Sequence, residues 1–155
     1  MSDCMRQLDW NGNVCGRNAG HNGTCAVEYV PLADQTIDQL LETALWQATD
    51  SEGNPLDRNY DIAAFNGESR SAFIAEFRVF VNTYSESIDD YMSHTGRDWT
   101  DVAHDYALTR NHHGTGFWDR CYCGNDMQMS ILTTGAEADG EYYVVIGDDG
   151  DLYIE

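Results

Sequence analysis

The sequence predicts an α+β fold in which two helices pack on a small antiparallel sheet, preceded by an N-terminal knuckle that contains cysteine and histidine. Two stretches with apolar residues at helical spacing and one strand–turn–strand pattern near the C-terminal end lead to this prediction. The length of 155 residues suits one domain. We therefore divide the chain into an N-terminal segment, residues 1–30, and a single acidic domain, residues 31–155.

The first predicted helix covers residues 36–48, where apolar residues recur every three or four positions. Thr36 and Gln39 have the spacing of a capping box, in which two side chains bond free backbone N–H groups at the start of a helix. The helix is therefore predicted to begin at Thr36. Residues 50–55 are rich in turn-forming types and predict the turn that follows.

The second predicted helix is longer, at about residues 69–91. Its apolar side chains step by three or four residues along one face: Phe73, Phe77, Phe80, Tyr84, Ile88 and Tyr91. Packing into a core explains such a stripe. Gly96 is predicted to end this region because glycine commonly terminates helices.

Strands are predicted only in the second half of the chain. Residues 104–110 partly alternate and are predicted to form a strand, residues 111–116 a tight turn, and residues 117–119 the returning strand. Near the C-terminal end, residues 142–146 and 152–154 are rich in β-branched and aromatic types and flank a turn of glycine and aspartate. This pattern predicts a second hairpin.

The composition is strongly acidic, with 27 Asp and Glu residues against eight basic residues, all of them Arg. The formal net charge of −19 at pH 7 repels nucleic-acid phosphates and anionic lipid headgroups. Direct binding of nucleic acid or membrane is therefore disfavoured, and a basic protein surface is the expected partner. Three explanations of the acidity stay open: solubility, adaptation to high salt, and mimicry of DNA by carboxylates that replace phosphates.

No apolar run reaches the roughly 18 residues that predict a membrane-spanning helix. The N-terminus lacks the basic and then apolar segment of a secretory signal. These features predict a cytoplasmic protein, and thiols stay reduced in that compartment. We therefore favour metal binding over disulfide formation as the interpretation of the cysteines.

The N-terminal segment sets three cysteines and one histidine among several glycines. Structural zinc takes thiolate and imidazole ligands, and three cysteines with one histidine form a common set. The predicted ligands of one structural zinc ion are Cys4, Cys15, His21 and Cys25. The alternative is that these are ordinary free cysteines. Cys121 and Cys123 would share one face of a strand, and we interpret them as core residues.

Residues 108–120 combine the densest set of chemically active side chains in the sequence. The candidate catalytic residues are Arg110, His112, His113 and Asp119. Histidine transfers protons near neutral pH and arginine clamps phosphate, so these residues fit a metal-assisted hydrolase or nuclease acting on a nucleotide or phosphodiester. The alternative is a tight hairpin braced by its own polar residues, since the segment holds no established catalytic motif.

The sequence ALWQATD at residues 44–50 is followed by PLDRNY at residues 55–60. HDY at residues 104–106 is followed by LTRNHHGTGFWDR at residues 108–120, and GDDGDLY stands at residues 147–153. Together these stretches resemble a family of small uncharacterised proteins from bacteriophages and prophages. The resemblance implies a phage or prophage origin and the cytoplasm of a host cell, and it brings no activity with it.

Charge and resemblance lead to the first functional hypothesis, a non-enzymatic phage accessory protein that binds a basic host protein. A restriction, CRISPR or transcription component with a nucleic-acid groove is the expected class of partner, which predicts an anti-defence protein that mimics DNA. The candidate binding residues are Trp118, Glu141, Asp148, Asp149 and Asp151. The second hypothesis is the hydrolase, which requires His104 or Asp105 to reach the same pocket as the histidine pair.

Overall fold

A computed structural model describes residues 32–119 and 126–155 of the chain. Within these residues it contains five α-helices: α1 (Asp34–Trp46), α2 (Gly67–Thr83), α3 (Ser85–Thr95), α4 (Trp99–Arg110) and α5 (Asp126–Ala138). Two strands, β1 (Val144–Ile146) and β2 (Leu152–Ile154), form an antiparallel sheet. The predicted α+β class is confirmed at this level, as a mostly helical fold with a small sheet. The N-terminal knuckle, residues 1–30, lies outside the described residues.

The first predicted helix is confirmed as α1, but its predicted capping box is wrong. The helix begins at Asp34, with Ala33 at the cap position and no side-chain capping bond. Thr36 is 2% exposed because it packs into the core within the first turn. The Gln39 side-chain amide instead donates to the Thr43 hydroxyl at 3.1 Å. Burial of Thr36 therefore outweighs the capping role that its spacing predicts.

The predicted long helix is two helices, α2 and α3, separated at Tyr84. Tyr84 has φ −111° and ψ 25°, outside the helical range, and it ends α2 and precedes α3. Its ring fills the space beside Gly135 of α5, where an added Cβ would lie 2.5 Å from a ring carbon. The stripe itself is confirmed as core: Phe73, Phe77, Phe80, Ile88 and Tyr91 are buried, and Tyr84 is half-buried. The break at Tyr84 coincides with the contact between its ring and α5. The spacing of apolar residues along the sequence does not predict this break.

The predicted strand at residues 104–110 is wrong, because these residues form the last two turns of α4. Asp98 begins the helix with a capping box, in which its carboxylate accepts from backbone N–H groups and the Asp101 carboxylate bonds back to the Asp98 N–H. Every residue from Asp105 to Arg110 is buried. A helix that is buried on all sides has no polar face and hence no amphipathic period. The predicted returning strand is also wrong, since Phe117–Asp119 is a turn of 3₁₀ helix.

The core forms around α4, which packs against α1 and α5. The helix α5 is absent from the elements that the sequence predicts. The predicted C-terminal hairpin is confirmed, with Val144 opposite Ile154 and Ile146 opposite Leu152. None of the helices in the described part of the chain combines the length and the apolar character that crossing a membrane requires.

The second strand is fastened to the start of α2. Ser69 in the first turn of α2 accepts a hydrogen bond from the Ile154 backbone N–H at 2.6 Å, and its hydroxyl donates to the Ile154 carbonyl at 3.2 Å. The Asn66 N–H donates to the Leu152 carbonyl at 2.8 Å. These contacts join the sheet to the helices over 85 positions of sequence.

Candidate functional site

Arg110, one of the candidate catalytic residues, is a buried structural cation. Its side chain is 3% exposed and donates to the carbonyl of Gly140 at 2.7 Å, to the carbonyl of Asp139 at 3.0 Å and to the Glu76 carboxylate at 2.6 Å. The guanidinium also lies 5.2–5.6 Å from the centres of three rings, those of Phe73, Tyr106 and Tyr142. These bonds hold the carbonyls that follow the C-terminal end of α5, so the arginine joins α2, α4 and α5.

Tyr106, which is buried, and Asp139, at the surface, complete the hydrogen bonds around Arg110. The Tyr106 hydroxyl donates to the Asp139 carboxylate at 2.7 Å. Burial raises the pKa of the Tyr106 phenol, and burial also raises the pKa of Asp139 although Tyr106 and Arg110 oppose that effect. The cluster is therefore a hydrogen-bond network in which Arg110 and Tyr106 are buried and the carboxylates of Glu76 and Asp139 lie at the surface.

Thr109 and Asn111, on either side of Arg110, also brace the backbone. The Thr109 hydroxyl oxygen accepts from the Phe117 N–H at 3.2 Å. A Cβ on Gly116 would lie 2.4 Å from that same oxygen, which explains the glycine at this position. The Asn111 side-chain amide donates to the Tyr142 carbonyl at 3.1 Å and accepts from the Tyr142 N–H at 3.0 Å.

The two histidines and Asp119 have different surroundings from Arg110 and from one another. His112 has a left-handed backbone, φ 50°, and its ring nitrogens lie 3.5 Å from Glu137 and 3.9 Å from Glu141. The His113 ring centre lies 5.3 Å from that of Trp46. Asp119 accepts from the Thr115 hydroxyl at 2.7 Å and from the Gly116 N–H at 3.0 Å, which holds its own turn.

His104 and Asp105, which the hydrolase hypothesis requires near the histidine pair, contact different helices, α1 and α3. Asp105 is fully buried and accepts a hydrogen bond from the Tyr91 hydroxyl. His104 Nδ1 lies 3.0 Å from the Thr43 hydroxyl oxygen. The same hydroxyl lies 2.7 Å from the Gln39 carbonyl, so His104 is joined to α1 through Thr43.

A surface cavity of about 510 Å³ lies beside Trp46 and is called the Trp46 cavity below. Three carboxylates line it, those of Glu42, Asp57 and Asp61, together with the rings of Trp46, Tyr60 and His104. Trp46 is 52% exposed although it is a large apolar side chain. Its residue types, acidic oxygens beside aromatic faces, are those that bind an organic cation.

Sequence reasoning did not single out the Trp46 cavity. Trp46 lies at the end of α1, outside the apolar set that packs into the core, and Glu42 precedes it by one helical turn. A tryptophan on the polar side of an amphipathic helix is the signal that was available. Asp57 and Asp61 come from the following connector, and only the folded chain brings them to the helix.

The four predicted binding acids of the C-terminal region are not equivalent. Glu141 accepts from the Tyr143 hydroxyl at 2.8 Å, and Asp149 accepts from the Tyr153 hydroxyl at 2.6 Å and from the Asp151 N–H at 3.0 Å. Asp148 and Asp151 are exposed, and no hydrogen bond or ion pair of their carboxylates is found among the described residues. Asp149 therefore holds the hairpin turn, while Asp148 and Asp151 contribute charge. Trp118, the remaining predicted binding residue, is 52% exposed beside α5.

We expect the Asp149→Asn substitution to lower the pKa of Tyr153. The hydrogen bond to Asp149 is the main cause that raises this pKa to about 12, because it requires the protonated phenol. The contribution of this bond to stability is therefore complete below about pH 10 and is lost as the pH rises from there towards 12. A pH titration of the Tyr153 ring followed by NMR measures the effect.

Asp148→Asn is the matched control for this titration, because it removes the same charge from the neighbouring position without removing the bond. It should leave the pKa of Tyr153 within about half a unit of the original value. If Tyr153 of the unaltered protein already ionises at its ordinary pKa, then the bond described here does not form in solution.

The predicted zinc ligands Cys4, Cys15, His21 and Cys25 lie outside the described residues, as do Cys121 and Cys123. The structural zinc site stays a prediction. Within residues 32–119 and 126–155, no group of three or more His, Cys, Asp and Glu side chains is arranged to hold a metal ion.

The chain has no match among known proteins. No protein-family model, no curated protein and no solved structure matches the chain. The function therefore has to be argued from the described residues and their chemistry.

Proposed function

We propose that the chain is a non-enzymatic bacteriophage accessory protein that binds a basic host protein, with an arginine or lysine of the partner entering the Trp46 cavity. The observation that carries the proposal is the composition of that cavity. Carboxylates and exposed aromatic rings line it, and no arginine is among its lining residues in the described part of the chain. The resemblance of the two sequence motifs to small phage proteins supports a host protein as the partner.

The chemistry of a guanidinium or ammonium group matches the cavity. Glu42 and Asp57 are exposed carboxylates that can each accept charge-assisted hydrogen bonds from such a group. The faces of Trp46 and Tyr60 attract a cation through the ring quadrupole. The third carboxylate, Asp61, already accepts from the Ala63 N–H at 2.9 Å and shapes the connector.

The charge of the whole molecule adds a long-range contribution. The formal net charge of −19 attracts a basic surface before contact and speeds association. We extend the proposal to anti-defence activity, in which surface carboxylates replace the phosphates of DNA in a nucleic-acid groove.

Three of the four candidate catalytic residues favour this proposal over a hydrolase. Arg110 is committed to the core, Asp119 to its own turn, and His113 to a ring contact with Trp46. These surroundings are those of bracing and surface residues. A binding function does not require any of the candidate catalytic residues to transfer a proton.

The Trp46→Ala substitution is expected to weaken binding of a basic ligand about tenfold, because a partly desolvated cation–π contact contributes about 1–2 kcal/mol. The probe is a short synthetic peptide in which arginine alternates with valine, and titration calorimetry on the full chain gives its Kd. The double substitution Glu42→Gln/Asp57→Asn should weaken binding by a similar or larger factor. A peptide with citrulline in place of arginine should bind much more weakly.

A charge-matched control separates the cavity from the general field. Asp89→Asn/Glu155→Gln removes the same two charges from exposed positions that do not line the cavity. It should change the Kd less than threefold or so at physiological salt, where charges are screened over about 8 Å. Equal losses in the two double variants would show that the cavity has no special part in binding.

Mimicry of DNA has its own measurement. Proteins retained from a bacterial lysate on the immobilised full chain should be released by duplex DNA and by salt, since both compete for the same basic groove. Retained proteins that salt releases and DNA does not would support a basic partner and contradict mimicry.

A further inference from the structure

The strand β1 has one edge that no strand covers. Tyr143 and Glu155 exchange two backbone hydrogen bonds of 2.8 Å, and the register places Val145 opposite Tyr153. Because hydrogen-bonded pairs alternate along an antiparallel ladder, the N–H and C=O groups of Val144 and Ile146 point away from β2. In the described residues, the neighbour on that side is the turn at residues 49–56, which is not paired with β1.

At Tyr142, the first residue along this edge, the backbone already binds the side-chain amide of Asn111. Tyr142 has the same outward direction as Val144 and Ile146, and the Asn111 side-chain amide makes one bond to its N–H and one to its C=O. These two bonds are the pair that a residue of an added strand would make. Asn111 therefore occupies the first pairing position of the open edge and leaves the next ones to another chain.

Space for an added strand lies along the edge. A cavity of about 360 Å³ includes Thr49, Asn111, Glu141 and Val144 among its lining residues. A second cavity of about 300 Å³ includes Thr49, Val144 and Ile146. The two cavities are adjacent, since both are lined by Thr49 and Val144, and together they are called the edge groove.

Charge selects the occupant of the edge groove. Glu141 lies at one end and Asp148 follows Ile146 at the other, and the described lining of both cavities contains no arginine. A second copy of this acidic chain would be repelled. The N-terminal segment of this chain, with two arginines and three acids in residues 1–31, offers little attraction either. A basic segment from another protein is the complementary occupant.

We propose that an extended segment of the partner, with arginine or lysine at alternating positions, adds to the open edge of β1 as a third strand. This inference rests on the proposed function for the basic nature of the partner. The backbone groups of Val144 and Ile146 give the segment its register. Glu141, which strand alternation places on the other face from Ile146, binds its cationic side chains, and Asp148 adds negative charge at the far end. Ile146, which is 43% exposed, packs against an apolar residue between the cations.

Amide hydrogen exchange on the full chain tests the strand pairing with the arginine–valine peptide as the probe. At saturating peptide, exchange at Val144 and Ile146 should slow about tenfold or more. Exchange at Val145 should change much less, because its N–H is already directed at Tyr153. Unchanged exchange at Val144 and Ile146 in the presence of bound peptide would overturn the strand pairing.

A proline at position 146 provides a matched pair of variants. Ile146→Pro removes an outward N–H without removing a bond to β2, and edge strands tolerate proline in that orientation. It should weaken peptide binding about tenfold, whereas Ile146→Ala should weaken it less than about threefold. Thermal unfolding of both variants shows whether the hairpin is retained. If Ile146→Pro is folded and binds as well as Ile146→Ala, the inference is wrong.

Failure of this inference and failure of the proposed function give different results. Binding that depends on Trp46 but leaves the edge amides unchanged rejects the third strand and keeps the basic partner. A citrulline peptide that protects the edge as well as the arginine peptide rejects the basic occupant. Edge amides that are already protected without peptide, and lose protection when residues 1–31 are removed, identify the chain's own N-terminal segment as the occupant and reject the proposal.

Discussion

Replacing Arg110 with Met is expected to lower the free energy of unfolding by about 3–5 kcal/mol, because two carbonyls each lose a hydrogen bond from a charged donor and such a bond contributes about 1.5–3 kcal/mol. Methionine keeps much of the apolar bulk against Phe73 and Tyr142, so the loss reports the missing hydrogen bonds. The carbonyls of Asp139 and Gly140 lose their donor. Urea unfolding with unchanged m values measures the difference.

Glu76→Gln is the control for this experiment. The Glu76 side chain is 52% exposed, so water replaces the lost ion pair and the expected cost is below about 1 kcal/mol. If Arg110→Met costs no more than Glu76→Gln, then the arginine is not the structural cation described here. That outcome would return Arg110 to the candidate catalytic residues.

Replacing Phe77 with Ala is also expected to cost about 3–5 kcal/mol, because it removes a fully buried ring and leaves a cavity. Phe77 is 0% exposed, and its ring centre lies 5.0 Å from that of Tyr106 and 6.5 Å from that of Phe80. The loss should be visible as a lower urea midpoint. It places the stripe of α2 in the core and not on an interaction surface.

Ser71→Ala, at an exposed position of the same helix, should change stability by less than about 0.5 kcal/mol. A Phe77→Ala loss below about 1 kcal/mol would contradict the burial of this face. The two expected costs, for Arg110 and Phe77, come from different mechanisms, lost polar bonds and lost packing. Since Tyr106 contacts both side chains, their double variant is expected to deviate from additivity.

Periodicity predicted the elements of this fold that have one buried face and one exposed face. The helix α1 and the stripe of Phe73, Phe77 and Phe80 follow the helical period, and the C-terminal hairpin follows the strand pattern. The helix α4 was missed because it is buried on every side in its last two turns, which leaves no period to detect.

The candidate site was harder to predict because the amino-acid types of a segment do not show where its side chains point in the folded chain. Residues 108–120 were selected for their reactive side chains, yet Arg110 and Asn111 use theirs to hold backbone groups of the α5 end and of Tyr142. The Trp46 cavity combines residues of α1, α4 and a connector. Tertiary structure brings these lining residues together, and no spacing between neighbouring residues in the sequence predicts the cavity.

The hydrogen bonds between Ser69 and Ile154 determine the order in which parts of the chain can fold during synthesis. The start of α2 leaves the ribosome long before its partner strand, because 85 positions separate the two residues. Until β2 arrives, the Ser69 hydroxyl and the Asn66 N–H have only water as partners on that side. The helices can gather around α4 during synthesis, but closure of the sheet against them is a late, long-range event. A ribosome-stalled chain that stops before Leu152 would therefore resist proteolysis in its helices less well than the released protein.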